Sequence, residues 1–329
     1  MIVYDGIINL LQSHGGISVL FHELNKRMAP NTTKYYVYNE DHSVDNNVAL
    51  LSPRVLERYR KFNVRLSEHD IFHSTYYRLP QSKATIVTTV HDFTYEKYVG
   101  GVTAKVHSYQ KNNAILNSDK IICVSHNTAE DLLKYCRVPD SKIEVIYNGV
   151  SDDYYPLNVE HQDYVVFVGS RVSYKNFDLV VSAVSKFNDL KLVIVGGGRL
   201  KEYESGLLEA NLKGRFEVKG ALSNKELNVV YNQAIALVYP SEYEGFGIPV
   251  IEAQKSGCPV IALNASSIPE VAGGAAILLD HSDANIIHDA INMLLSDDIS
   301  KRFRDLGFEN AKRFSWDKCF KETQMIYSK

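Results

Sequence analysis

The chain has 329 residues, enough for two hydrophobic cores of ordinary domain size. Its 36 Lys and Arg against 39 Asp and Glu leave a formal charge of -3, which excludes a general nucleic-acid binder, since that needs a concentrated basic surface. No run reaches the roughly 18 apolar residues of a membrane span, and Met1-Ile2-Val3-Tyr4-Asp5-Gly6 lacks the basic start of a signal peptide, so the expected location is the cytoplasm.

From the first residue, strand-like runs alternate with helix-like ones, the pattern of parallel sheets covered by helices on both faces. The predicted fold class is therefore α/β, with two doubly wound, Rossmann-like parallel sheets facing a cleft. In the first half, 2–4, 35–38, 70–73, 85–90, 121–124 and 143–146 read as strands. Between them, Ser18 to Met28 reads as a helix with Val19, Leu20, Leu24 and Met28 on one face, and Thr128 to Tyr135 as another. The polar, acidic, proline-interrupted stretch 151–163 reads as an interdomain linker. Alternation then restarts with strands at 164–169, 192–196, 216–218, 235–239, 260–262 and 277–279. This divides the chain into a domain at 1–155, a second at 156–314, and a last helix in 315–329 with Cys319, Phe320, Thr323 and Ile326 in a partly apolar stripe.

Cys123, Cys136, Cys258 and Cys319 form no Cys-x-x-Cys pair and no zinc-ligand spacing, so they read as reduced, buried thiols. Lys301-Arg302 with Arg304, and Lys312-Arg313, read as solvated helix faces.

The candidate site begins with Tyr239-Pro240-Ser241-Glu242-Tyr243-Glu244-Gly245-Phe246-Gly247-Ile248-Pro249-Val250-Ile251-Glu252-Ala253. Here a strand enters a glycine-rich turn and then a helix, with Pro249 in the first turn and Gly257 at the stop. Glu244 falls in the turn, and Glu252 is expected in the helix's first turn. Gly245 and Gly247 leave amides unshielded at the helix start for phosphate or hydroxyl oxygens, and the carboxylates can accept hydrogen bonds from a polyol. A nucleotide sugar offers both groups. After the 164–169 strand, Arg171 and Lys175 suit a diphosphate, the first as a planar fork and the second as a point charge. Ser13-His14-Gly15-Gly16-Ile17 joins the first strand's loop to a helix, where glycine lets amides approach a phosphate. His91-Asp92 closes the 85–90 strand, where an imidazole can meet a sugar hydroxyl or serve only as a structural histidine beside an Asx-turn. His73, Ser125 and Asn148-Gly149 also end strands and read as cleft-shaping or acceptor contacts. The run Gly196-Gly197-Gly198-Arg199 lacks the Gly-x-Gly-x-x-Gly spacing of a dinucleotide fingerprint.

The 239–253 segment, followed by Ser256-Gly257-Cys258-Pro259-Val260-Ile261-Ala262 and Ser267-Ile268-Pro269-Glu270-Val271-Ala272-Gly273-Gly274-Ala275-Ala276, resembles the retaining glycosyltransferases of family 4, the group 1 glycosyl transferases. In that family two Glu flank Gly-Phe-Gly and contact the donor. The resemblance covers 164 to about 279 most strongly and implies the two-domain GT-B fold, with a final helix crossing back to the first domain. It places Glu244 and His91 at the donor hexose, and Arg171 and Lys175 at the diphosphate with Gly15 and Gly16. Gly245, Phe246, Gly247 and Ile248 then meet the donor, Glu252 its ribose, and Gly220, Ala221 and Leu222 wall the nucleobase. The implied activity moves a hexosyl unit from a nucleoside diphosphate sugar of the GDP-mannose or UDP-hexose type to a saccharide, with retention and without metal. No cofactor besides the donor substrate is implied, and no metal site.

There is no Asp-x-Asp in the chain, so the cations opposite the leaving diphosphate are expected from protein. The acceptor is expected to be a saccharide, lipid-linked in the surface-polysaccharide assembly the family suggests, which implies peripheral contact with the inner face of a membrane. Rival readings are a nucleotide-sugar epimerase of the same architecture, a non-catalytic sugar-nucleotide sensor, and a glycoside hydrolase using the paired carboxylates.

Overall fold

The computed structural model describes residues 1–12, 15–38 and 47–328. Two compact units emerge: the first takes in Met1–Gly149 and the chain from Trp316 onward, the second Val150–Ser315. Ser13 and His14, in the predicted glycine loop, lie outside the described residues.

In the first unit, β1 (Ile2–Tyr4), β2 (Thr33–Val37), β3 (Val48–Leu50), β4 (Ile71–Ser74), β5 (Thr85–Val90), β6 (Lys120–Cys123) and β7 (Ile143–Val145) form one sheet in the order β3-β2-β1-β4-β5-β6-β7. In the second, β8 (Tyr164–Val168), β9 (Lys191–Val195), β10 (Phe216–Lys219), β11 (Ala236–Tyr239), β12 (Val260–Leu263) and β13 (Ile277–Leu279) follow β10-β9-β8-β11-β12-β13. Every pairing is parallel. Both are therefore doubly wound Rossmann-like sheets, as the alternation predicts. Each reverses direction once, between β1 and β4 and between β8 and β11. At such a point the flanking loops diverge and leave a crevice beyond the strand C-termini.

Central strands are continuous apolar runs because helices cover both faces. In the second unit Val165, Phe167, Leu192, Ile194, Val238 and Ile261 are buried in one core with Val180, Val184 and Ile291 from flanking helices. In the first, Tyr4, Val87 and Ile122 pack with Leu20, Phe21 and Leu24 of the helix Gly16–Arg27, and with Trp316, Cys319 and Ile326 of the helix Trp316–Tyr327. Val19 points outward on Gly16–Arg27, and Phe21 takes the buried place assigned to it. All four cysteines are free and buried.

Three sequence expectations change. The 151–163 stretch is no free linker: the units part at Gly149, and Tyr155 and Leu157 donate their amides to Asn228 and Asn232 of the helix Asn224–Gln233, at 3.2 and 2.6 Å. His73 is structural, for its ring nitrogens meet Tyr327 Oη at 2.6 Å and Thr89 Oγ1 at 2.8 Å, deep in the first unit's core. Ser125 caps the helix His126–Tyr135 by accepting from the Thr128 amide at 3.0 Å.

At the first unit's reversal point, Asp5 follows β1 and Arg78 lies beyond β4, both side chains wholly buried. Arg78 binds Glu57 at 2.6 Å, reaches Asp5 at 3.7 Å and donates to the Arg60 carbonyl and Tyr38 hydroxyl. Burial pushes the Asp5 carboxyl up, against the pull of Arg78. Arg78→Ala leaves two buried carboxylates without their shared cation, so a loss of about 3–5 kcal/mol is expected in urea denaturation near neutral pH. A loss under about 1 kcal/mol would mean that this network carries no stability.

Candidate active site

The second unit's reversal point places the loop after β8 beside the loop after β11. Asn176, in left-handed conformation at φ 53°, donates to the Pro240 carbonyl at 3.0 Å and to Glu242 at 3.2 Å, while the Glu242 amide donates to the Tyr174 carbonyl at 2.8 Å. These bonds fasten the loops together. Across the seam, Lys175 Nζ stands 2.9 Å from Glu244 Oε1, each side chain still partly open to solvent. A Cβ built on Gly169 would lie 3.4 Å from that ammonium, so glycine keeps the approach to it clear.

The turn bearing Glu244 is held from behind by two serines. Ser266 accepts from the Glu244 amide at 2.9 Å, and Ser267 donates to the carbonyls of Glu244 and Phe246, both at 2.9 Å. Tyr243 and Phe246 are buried, Phe246 edge-on to Phe314 at 5.7 Å. Phe246 therefore offers a ligand its backbone alone. Gly247, with φ 95°, caps the helix Ile248–Ser256, Pro249 falls in its first turn, and Gly257 ends it at φ 80°. A Cβ at Gly257 would sit 2.7 Å from the Phe308 ring, so a larger residue at the stop would have to displace that ring.

Because the cap is Gly247, Glu252 is the fifth helical residue and lies past the first turn, one step deeper than expected. There Tyr231 donates to its Oε2 at 3.2 Å, and Tyr154, whose hydroxyl donates to Asn224 Oδ1 at 3.2 Å, lies close enough to pull its pKa down. Burial pushes the Glu252 carboxyl up to about 7 from 4.5, with the two tyrosines opposing. Tyr154 comes from the stretch read as a linker, and its ring packs 6.1 Å from Tyr231. Sequence reasoning missed both tyrosines, although an aromatic pair inside an acidic stretch, Tyr154-Tyr155, was the available signal of docking. Tyr239, at the end of β11, has its phenol pushed well up by burial and then by Glu244 and Glu252.

Arg171, expected at the diphosphate, is held by the protein itself. Its side chain is buried, with Nε on Glu204 at 3.0 Å and the remaining nitrogens on the carbonyls of Gly196, Gly197, Gly198 and Arg199 at 3.0 to 3.2 Å. The three glycines have φ of 78°, 73° and 73°, which turns successive carbonyls toward one guanidinium. Every nitrogen of the fork is occupied by the protein itself, so Arg171 shapes the loop after β9 and Lys175 alone of the pair faces the seam. Gly220, Ala221 and Leu222 follow β10 next to that loop, tied to it by the Gly196 amide, which donates to the Lys219 carbonyl at 3.1 Å.

In the first unit, His91 follows β5. Its amide donates to Tyr77 Oη at 3.3 Å, and Asp92 accepts from the Thr94 amide at 2.9 Å, the Asx-turn weighed from sequence. The imidazole itself is different: Nε2 is buried and has no hydrogen-bond partner among the described residues. Burial, reinforced by Lys111, pushes its pKa down to about 3, so the ring is neutral at physiological pH and suited to a hydroxyl. Gly15 precedes the helix Gly16–Arg27 as its cap, leaving the first amides, with Gly16, at the helix's positive end.

Comparison with known proteins gives one consistent answer. Residues 156–313 match the family described as Glycosyl transferases group 1, and residues 15–154 match Glycosyltransferase Family 4. The chain is 26% identical to O-antigen chain mannosyltransferase B of Escherichia coli, over 84% of this chain and 80% of that one. It is 29% identical to the O-antigen chain mannosyltransferase RfbU of Salmonella typhimurium, over 73% and 70%. Among solved structures, sucrose-phosphate synthase from Thermosynechococcus elongatus superposes with a TM-score of 0.80 at 17% identity, covering 99% of this chain and 98% of that one, a likeness of fold.

Two measurements separate scaffold from site. Arg171→Met strands the buried Glu204 and the loop carbonyls, so a loss of about 3–5 kcal/mol is expected, whereas Lys175→Met should cost less, because its single carboxylate partner Glu244 keeps some solvent access; equal losses in urea denaturation would refute the division. For Glu252, whose folded pKa is raised, the unfolded state ionises first, so stability falls as pH rises from 4.5 through about 7. Glu252→Gln removes that slope, and denaturation midpoints of the two proteins should diverge in favour of the variant over that window.

Proposed function

The chain belongs to the family 4 glycosyltransferases, the glycosyl transferases of group 1, and we propose that it transfers a hexosyl unit from a nucleoside diphosphate sugar to a saccharide acceptor with retention. The observation that carries this reading is the Lys175–Glu244 pair, 2.9 Å apart at the second unit's reversal point, a cation for phosphoryl oxygen beside a carboxylate for sugar hydroxyls. The donor is of the GDP-mannose or UDP-hexose type, and the mannosyltransferase relatives favour the first.

In this reading Lys175, the amides at Gly247 and those at Gly16 take the diphosphate, Glu244 and the neutral His91 hold the hexose, and Glu252 accepts from the ribose. The bond from the anomeric carbon to the diphosphate oxygen breaks while the acceptor oxygen bonds to the same face of that carbon. The acceptor's proton passes to the departing phosphate oxygen. Negative charge grows on the diphosphate during this step, so positive groups fixed there in advance bind the transition state more strongly than the ground state. Protein cations and dipoles serve in place of a divalent metal, and chelators should leave turnover unchanged. The acceptor is a saccharide carried on a lipid in surface-polysaccharide assembly, which brings the protein to the inner face of a membrane. Among the described residues no helix is long and apolar enough to cross one.

A thermal-shift panel of nucleoside diphosphate sugars tests the donor, since a ligand at about 100 times its Kd adds about 2.7 kcal/mol. Lys175→Ala should abolish the response to both free diphosphate and donor, while Glu244→Gln should keep the diphosphate response and lose the extra gain from the sugar. If ionised Glu252 receives the ribose, binding releases a proton and tightens as pH rises toward about 7, then levels. No response to any donor, or nucleotide release that ignores saccharide acceptors, would overturn the transferase reading.

A further inference from the structure

We propose that the segment Arg54 to Arg65 of the first unit is a rigid membrane-docking tip that seats on anionic lipid headgroups. It rests on the membrane contact of the proposed function, for which it names the surface, and uses none of the donor-site residues. Val55 and Leu56 are 79% and 68% exposed, and Leu56 has φ 56°, a left-handed conformation that β- and γ-branched side chains avoid. A solvated loop would relax away from it.

This one is fastened in place. Glu57, directly behind the tip, is buried and takes both Nε and Nη2 of Arg54, at 2.7 and 2.8 Å, together with Arg78 at 2.6 Å. Arg54 also donates to the Lys61 carbonyl at 2.9 Å, and Arg78 to the Arg60 carbonyl at 2.9 Å, which closes the loop at its base. The two apolar side chains are thus held outward by a buried ionic platform.

Charge selects the partner. Between Arg54 and Arg65 the chain carries Arg54, Arg58, Arg60, Lys61 and Arg65 against the single, buried Glu57, within a protein of net charge -3. Arg60 Nε donates to the Val55 carbonyl at 2.8 Å, which sets a guanidinium beside the exposed aliphatics. Tyr59, half exposed, follows on the same single helical turn. Gln110 donates to the Arg58 carbonyl at 2.8 Å, tying the tip to the helix Gly101–Leu116, where Val102, Val106 and Tyr109 recur at helical spacing on an exposed face with Lys105. Aliphatic points ringed by cations and interfacial tyrosines match a bilayer of anionic lipid: the apolar groups enter the headgroup boundary and the cations meet its negative potential.

The test is sedimentation of the full chain with vesicles of phosphatidylcholine, alone or with roughly one third phosphatidylglycerol; donor and acceptor are left out, so failure here is separable from failure of the transferase reading. Wild type should bind the anionic vesicles several-fold more tightly and weaken as salt is raised. Leu56→Gly suits the left-handed backbone, so its circular dichroism and unfolding midpoint should hold while vesicle affinity falls about fivefold or more. Arg60→Glu with Lys61→Glu should remove the preference for phosphatidylglycerol. Equal binding to both vesicle types, or unchanged binding by Leu56→Gly, overturns the proposal. Capture on heparin without vesicle binding also overturns it and marks a polyanion surface instead.

Discussion

Both sheets are parallel throughout and covered on both faces, so their strands are committed to packing and the loops at their C-terminal edges carry the polar chemistry. Strand order then decides which loops meet. In the second unit the reversal between β8 and β11 brings two segments some seventy residues apart in sequence to within hydrogen-bonding reach, from Tyr174 and Asn176 to Pro240 and Glu242. Lys175 and Glu244 face each other as a consequence of that topology. Neither residue has any local reason to find the other.

The same loop shows how environment divides two cations four residues apart. Arg171 turns inward, because three consecutive left-handed glycines present carbonyls to one side and Glu204 completes a shell that only a planar, multiply donating guanidinium can fill. Lys175 turns to the seam, where it keeps solvent access and one carboxylate partner. An ammonium whose one carboxylate partner is only partly buried can exchange it for phosphate at lower cost than a guanidinium satisfied on all sides. Resemblance of motif assigns both to phosphate, and the protein engages one of them far more fully than the other.

Much of this was legible in the sequence. Apolar runs such as Val165-Val166-Phe167 and Leu192-Val193-Ile194-Val195 located the strands, and Gly247, Pro249 and Gly257 bounded the site helix, because backbone limits on glycine and proline are local. What was not legible depended on distant partners. The helix Gly101–Leu116 escaped periodicity because its buried face includes His107 and Lys111. Lys111 is tolerated there since Glu96 at 2.6 Å, the Asp92 carbonyl and the Phe93 ring all receive its ammonium. The stretch 151–163 looked like solvent-exposed linker because the amides of Asn228 and Asn232, which bind its backbone, lie some seventy residues away. His73 ended a strand like a site residue, and Tyr327, 254 positions later, makes it structural.

Groups that oppose folding collect at these C-terminal edges. Glu252 is held where a carboxylate is costly, and His91 keeps a buried ring nitrogen without a partner among the described residues. Polar groups of this kind lose solvation on folding and recover only part of it from the protein, as Glu252 does through Tyr154 and Tyr231. In the proposed transferase reading, the hydroxyls of the donor supply the missing partners, so its binding returns free energy that the empty protein lacks. Flexible, well-solvated side chains would have to be desolvated and ordered during binding; here the fold has already done both. The arrangement converts part of the fold's stability into preorganisation, and the buried cores of Val, Ile, Leu and Phe beneath each sheet are what make that loss tolerable.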